Sequence, residues 1–249
     1  MSNLDRACFD RRSLLRAGLF GGTALAISAI SRNALAEGTP LKIGIIGAGH
    51  IGSTIGSLWV QSGQPVMFSS RHPDDLKPLV DALGSLAQAG TVAEAIDFGD
   101  VVFIAVPYGA YPQIATDFGS KLSGKVVIDA GNAVAARDGT DLTAETKAEG
   151  IGLTSAKLFP GAHIVRAFNS MSYKYFASEA NRAGDRMAIP IAGDDKDALN
   201  IASTLVHDAG FDPVIIGSLA RAKDFSQGNP LYGLQLTAAE MRQRADALK

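Results

Sequence analysis

The stretch "LKIGIIGAGHIGSTIGSLWVQSGQPVMFSS" limits the possible folds more than any other part of the chain. It begins with an uninterrupted apolar run, as expected of a strand covered on both faces in a parallel sheet. Gly47, Gly49 and Gly52 follow as G-x-G-x-x-G. A helix from about His50 to Ser62 then places Ile51, Ile55, Leu58 and Trp59 on one face, with Gly63 positioned to stop it. "PVMFSS" is the next strand. The glycine pattern alone is weak. Between a strand and a helix in a βαβ unit it predicts a dinucleotide-binding turn, with each glycine in its own role: Gly47 for the tight turn, Gly49 for close approach of a pyrophosphate, and Gly52 for packing of the helix on the strand. The amides from Gly47 through Ala48, Gly49, His50 and Ile51 to Gly52 lead into the helix N-terminus, whose free N–H groups and positive dipole end suit phosphate. His50 can serve the phosphate through its backbone N–H or cover the ribose with its ring, and both readings stay open.

About twenty residues past the first glycine, an Asp or Glu would bind the ribose 2′-hydroxyl of NAD. This chain has Ser69, Ser70, Arg71 and His72 there. A carboxylate would repel a 2′-phosphate, whereas an Arg beside hydroxyls attracts one through charge-assisted hydrogen bonds. The expected cofactor is therefore NADP(H), with Lys77 as a second cation if the loop folds back.

Strands and helical patterns alternate through the rest of the chain. "DVVFIAVP", "GKVVIDAGNAV", "HIVRAFNSM", "DRMAIPIAGDD" and "DPVIIGSLA" read as strands, and Thr91 and Glu94 stand at capping-box spacing. A helix is expected from Asp195 to His207, with Asp194 as its cap and Gly210 after it. "PDDLKPLVDALG" reads as a short helix, and 135–160 as loop with short helix. The pattern predicts an α/β fold: a doubly wound, mostly parallel sheet, the NAD(P)-binding Rossmann fold, with a small C-terminal extension.

Ligands of such sheets lie at the carboxyl ends of the strands. Ala105, Val106, Pro107 and Tyr108 would line the ribose and nicotinamide side, Asp129 to Asn132 end the next strand, and Ala167 to Met171 the one after. These ends carry no Lys, His or Glu, and Asp129 reads as a turn-forming acid. Alcohol and hydroxy-acid dehydrogenases need a proton donor or acceptor beside the carbon that takes hydride. No catalytic residue is assigned here, because Tyr173-Lys174-Tyr175 reads better as a helix start. A ring acceptor that carries its own chemistry needs mainly shape and orientation.

The N-terminal segment has the parts of an export signal: Arg11 and Arg12 as a twin-arginine pair, 15 uncharged residues from Ala17 to Ser31, and Ala34-Leu35-Ala36 before Glu37. The uncharged run is short for a membrane span. The expected organisation is a Tat-type (twin-arginine translocation) signal peptide over 1–36 and one domain over 37–249. Export through the Tat translocon would make the location periplasmic, or cytoplasmic if the signal is not used. Removing 36 of 249 residues leaves 213, with 18 cations and 23 anions, which gives no reason to expect nucleic acid or an anionic membrane as partner. Cys8, the only cysteine, falls in the signal, so the remainder has no disulfide, thiol nucleophile or cysteine metal site. No metal ligands are assigned.

The elements "IGIIGAGHIGSTIG", "FSSRH", "VVFIAVPY", "KVVIDAGNA", "IVRAFNSMS" and "IPIAGDDKDA" to "GFDPVIIGSLARAK" together resemble the NADPH:coenzyme F420 oxidoreductase family and the related cytoplasmic domain of the STEAP metalloreductases. The resemblance covers nearly all of 37–249 in order. It implies NADP binding and hydride transfer to a deazaflavin or flavin (coenzyme F420, FMN or FAD) packed over the nicotinamide. It also implies phosphate and ribose contacts at Ala48 to Ile51, 2′-phosphate contacts at Ser70 and Arg71 beside His72, and nicotinamide-side contacts at Ala105, Pro107 and Ala167 with Val106 and Ala130 adjoining. Asn169, Ser170 and Met171 would lie near the acceptor. The chain departs from the family at His50 and His72, and in its export signal. Two other readings are a non-catalytic NADP-binding sensor or carrier, and a reductase of a small imine or hydroxy acid. The latter type adds a large helical domain, whereas 80 residues follow Asn169 here and two of the expected strands lie among them. A homodimer is common for such domains.

Overall fold

The computed structural model describes residues 39–248, so the export-signal segment lies outside the described residues. The chain runs β1 (Ile43–Ile46), α1 (His50–Gln61), β2 (Val66–Ser69), α2 (Lys77–Leu83), β3 (Ala87–Gly90), α3 (Val92–Phe98), β4 (Val101–Ile104), α4 (Tyr111–Leu122) and β5 (Val126–Asp129). Three helices follow, α5 (Ala135–Asp138), α6 (Thr140–Glu149) and α7 (Ile151–Leu158), and then β6 (His163–Arg166), α8 (Tyr173–Glu179), β7 (Ala188–Gly193), α9 (Lys196–Asp208), β8 (Asp212–Gly217) and α10 (Ala238–Asp246). Short 3-10 turns cover Pro73–Leu76, Tyr108–Ala110 and Leu219–Phe225.

All eight strands form one sheet in the order β3-β2-β1-β4-β5-β6-β7-β8. Every pairing is parallel except β6 with β7. This is the mostly parallel Rossmann sheet expected from the sequence. Its strand order reverses at β1, between β2 and β4, which opens a crevice at their carboxyl ends. β1, β4 and β5 are buried at every position, which explains their unbroken apolar runs.

Two apolar clusters cover the two faces. One gathers Ile45, Ile55, Trp59, Phe68, Phe103, Phe168 and Leu205, and the other Ile46, Ile104, Tyr108, Tyr111, Leu122, Val127 and Phe159. Trp59 Nε1 donates to Leu205 O at 2.7 Å, which fastens α1 to α9 inside the first cluster. A third cluster seats α10 and the Leu219–Phe225 turn on β7 and β8. The C-terminal extension is thus a brace on the sheet edge.

Several local expectations need correction. β3, "AQAG", has little strand propensity and forms as an edge strand by pairing Ala87 to Gly90 against Val66 to Ser69. The 135–160 region is mainly helical. Gly139 and Gly150, both at positive φ, separate its three helices. Asp195 rather than Asp194 caps α9, accepting from Ala198 N at 2.7 Å, while Asp194 accepts from Leu219 N and ties the extension to the end of β7. Thr91 and Glu94 do form the capping box.

Candidate functional site

The glycine turn has the geometry that its spacing predicts. Gly47 has φ 99°, and a Cβ there would lie 2.3 Å from Val106 Cγ1 and 2.9 Å from Ala105 O. The turn therefore sits directly against the exit of β4. At Gly52 a Cβ would lie 1.9 Å from Gly47 O, so α1 starts closer to the turn than any side chain permits. Gly49 is different: a Cβ on it would meet nothing within 4 Å. The space above Gly49 is open, and it lies over the N-terminus of a twelve-residue helix with no acid in its first turn and no side-chain cap. First-turn amides have no partner within their helix, and an anion brought close to Gly49 would satisfy them. These residues fit a pyrophosphate.

Ala48 plays another part. Its N–H donates to Ser69 O at 3.1 Å, so it joins the turn to β2 instead of offering an amide to phosphate. Ile51 is half-buried against the first apolar cluster. The exposed ring of His50 stacks on Tyr173, the first residue of α8, with centroids 4.3 Å apart and planes 8° apart. The stack links the phosphate turn to the loop after β6.

At the exit of β2 the hydroxyls are not equivalent. Ser69 is fully buried and donates to Ile45 O at 2.6 Å, which removes it as a phosphate ligand. Ser70 is half-buried, and its Oγ accepts from His72 N at 3.1 Å. Arg71 is exposed and makes no hydrogen bond or ion pair with the described residues. Lys77 does not turn back toward it. It pairs instead with Asp81 at 2.8 Å along the surface of α2. The cationic end of the site is thus Arg71 and Ser70, with exposed His72 beside them.

Across the crevice, the strand exits are zipped together by Ala105 N to Ile46 O, Ala130 N to Ile104 O and Ala167 N to Asp129 O. Ala105 and Val106 are half-buried, Pro107 is exposed and Ala130 is 9% exposed. Ala167 is fully buried, so it stands behind these strand exits without lining them. Phe168 then takes φ 59°, a left-handed conformation costly for a bulky residue. Its ring is held edge-on by Trp59, Phe103, Phe176 and Phe211. This kink turns the chain so that Phe168 enters the core and Asn169 and Ser170 follow at the strand end. Asn169 Nδ2 donates to Phe225 O, and Asn132 Nδ2 donates to Asn169 O at 2.7 Å. Asn169 Oδ1 and Ser170 Oγ, both buried, find no partner among the described residues.

Sequence reasoning missed the polar network beneath these exits. Asp129 is no simple turn-former. It is 1% exposed and pairs with fully buried Arg166 at 2.5 Å. Tyr111 donates to the same carboxylate at 2.6 Å, and Tyr108 shares a hydrogen bond with Ser155. Burial, with the Asp129 charge second, raises both phenol pKa values above their ordinary range. A useful signal was present: an Arg inside "HIVRAFN" and an Asp ending "VVID" each interrupt an apolar run, and a buried charge calls for a partner.

Residues 42–133 match the family described as NADP oxidoreductase, coenzyme F420-dependent. A hypothetical protein from Sinorhizobium meliloti is 30% identical, with 80% of this chain and 96% of that chain covered at a TM-score of 0.70. The family match spans 92 of the chain's 249 residues, from β1 to the loop after β5. The rat metalloreductase STEAP3 (Rattus norvegicus) is 31% identical over 183 residues, which are 74% of this chain and 35% of that protein. The chain thus spans about a third of that relative's length. A candidate F420-dependent NADP reductase from Arthrobacter sp. FB24 shares the fold at 20% identity and a TM-score of 0.62, covering 74% of this chain and 87% of that one. The NADP in that family's description agrees with the acid-free exit of β2.

Proposed function

We propose that the chain transfers hydride between NADP(H) and a deazaflavin or flavin acceptor, with coenzyme F420, FMN and FAD as the candidates. The observation that carries this reading is a pyrophosphate-ready glycine turn facing strand ends that offer no free acid or base. Asp129, Tyr111 and Tyr108 lie there, but all three are buried and bonded: Asp129 to Tyr111 and Arg166, and Tyr108 to Ser155. A carbonyl or imine substrate would need a proton at the reacting centre, whereas a ring acceptor takes hydride at an atom tuned by its own conjugation.

Bound NADPH supplies the hydride. The chain's own residues hold and orient. The amides at the start of α1 take the pyrophosphate, and Gly49 lets it come close. Arg71 and Ser70 take the 2′-phosphate. Ala105, Val106 and Ala130 form a small-residue floor for the nicotinamide, and Asn169 and Ser170 supply polar groups next to the acceptor. The match of residues 42–133 to the coenzyme F420-dependent NADP oxidoreductase family supports the reading.

The test follows NADPH absorbance with the full-length protein and F420, FMN, FAD or no acceptor. Loss with one acceptor alone names the partner. Tight NADPH binding without loss in any mixture would replace the reading with a non-catalytic NADP carrier or sensor. We also propose that the protein crosses the membrane folded, through the Tat translocon and with NADP in place, and works in the periplasm as a homodimer. Cell fractionation of the wild type against an Arg11→Lys/Arg12→Lys variant checks the location, and light scattering checks the dimer.

A further inference from the structure

Asp129 ends β5 and Arg166 ends β6, and the two are register partners in the sheet. Their ion pair is completely enclosed. The groups around it converge on one peptide unit. Asp129 Oδ1 accepts the Gly131 N–H at 2.9 Å, and Arg166 Nη2 donates to Gly131 O at 2.5 Å. Gly131 is therefore held at both of its polar ends by opposite charges. Tyr111 closes the third side, and a Cβ on Gly131 would lie 2.4 Å from its hydroxyl. The next residue, Asn132, carries the bond to Asn169 O.

This arrangement is not explained by stability alone. A buried ion pair does little better than an apolar pair of the same shape, and it is worst where polar atoms stay unsatisfied. Here Asp129 Oδ2 and Arg166 Nε have no hydrogen-bond partner among the described residues. The pair is better fitted to Gly131 than to its own satisfaction. Burial works against the Arg166 charge, but Asp129 outweighs it and raises the guanidinium's pKa, so Arg166 keeps its charge.

We infer that Asp129 and Arg166 are positioning residues for the nicotinamide end of the site, acting through the Gly131 peptide unit. The inference rests on the NADP reading above. β5 lies three strands from β2, about 14 Å at the usual strand spacing. Loosening Gly131 should therefore disturb the nicotinamide end and spare the 2′-phosphate end.

The experiment measures two probes on the full-length protein: NADPH and 2′-phospho-ADP-ribose, which lacks the nicotinamide. The Asp129→Leu/Arg166→Met double variant replaces the pair with apolar side chains, an exchange that buried pairs commonly tolerate. In this variant 2′-phospho-ADP-ribose should bind within about twofold of wild type, while the advantage of NADPH over it falls at least fivefold. A role in folding alone would not separate the two probes. An unchanged ratio, or a wild type that binds both probes equally, overturns the inference. A wild type that binds neither overturns the NADP reading instead. Should the double variant not fold, hydrogen exchange on the unliganded wild type decides: the Gly131 amide should exchange as slowly as those of Val127 and Ile128, and fast, loop-like exchange overturns the clamp.

Discussion

Replacing Gly49 by alanine should remove cofactor binding while leaving the fold intact. Gly49 has φ −74° and ψ −167°, an extended conformation open to alanine, and its added Cβ would touch nothing within 4 Å. Two stability terms oppose each other. Alanine restricts the unfolded chain and gains about 0.4–1 kcal/mol. It is also a poorer N-cap than glycine, at a cost of roughly the same size. The net change should stay within about 1 kcal/mol. Binding is another matter, because the methyl group occupies the open volume that a pyrophosphate must enter. Each charge-assisted hydrogen bond lost costs about 1.5–3 kcal/mol, or roughly 10- to 150-fold in Kd. Gly52→Ala is the control. Its Cβ would stand 1.9 Å from Gly47 O. A carbon-to-oxygen contact needs about 3.3 Å, so α1 must shift by about 1.4 Å. Overpacking of this kind costs about 1–3 kcal/mol, so stability and binding should fall together. Urea melts and calorimetric titration with NADPH read both quantities. Unchanged NADPH affinity in Gly49→Ala would refute the placement of the pyrophosphate, and a loss of stability matching that of Gly52→Ala would refute the reasoning from open space.

Three further outcomes follow from named contacts. Arg71→Asp should weaken NADPH at least tenfold and leave NADH within about threefold, since only the former carries a 2′-phosphate for Arg71 to meet; equal losses in the two titrations would count against it. Phe168→Ala should cost about 3–5 kcal/mol in a denaturant melt, because the substitution empties an aromatic hub; a cost under 1 kcal/mol would mean that the kink is not anchored there. Asp138 has a buried carboxylate that accepts from Val134 N, Gly109 N and Arg137; burial opposes its charge, but these bonds prevail and hold its pKa below the ordinary value. A depressed carboxylate stabilises the fold above its unfolded pKa of about 3.9 and loses that contribution as pH falls through the folded value. Stability measured from pH 6 down to pH 2 should therefore drop less in Asp138→Asn than in wild type.

Much of the fold was legible because its strands are buried on both faces and its helices carry ordinary stop and cap signals. The turn from Gly47 to Gly52 could be read residue by residue, since each glycine meets a separate local demand. The errors lie where tertiary contact overrides local pattern. β3 has no strand signal of its own and is made by β2. Asp194 and Asp195 compete for one cap, and only the approach of Leu219 from 25 residues away assigns Asp194 elsewhere. Ser69 and Ser70 look interchangeable as letters, yet alternation along the strand turns Ser69 back onto Ile45 O and leaves Ser70 at the surface. The charges of Asp129 and Arg166 were visible, but their pairing depends on the register of β5 against β6. The stack of His50 on Tyr173 joins elements more than a hundred residues apart.

The most direct test of hydride transfer uses NADPH deuterated on one or the other face of its transferable carbon, mixed with the full-length protein and oxidised F420 in ordinary water. The account predicts that one of the two labelled forms delivers a single deuterium to the reduced acceptor, read by mass spectrometry, and the other delivers none. On the proposed reading, a floor of Ala105, Val106 and Ala130 would present only one face of the ring. Reduced acceptor without deuterium from either form would contradict direct transfer within this site.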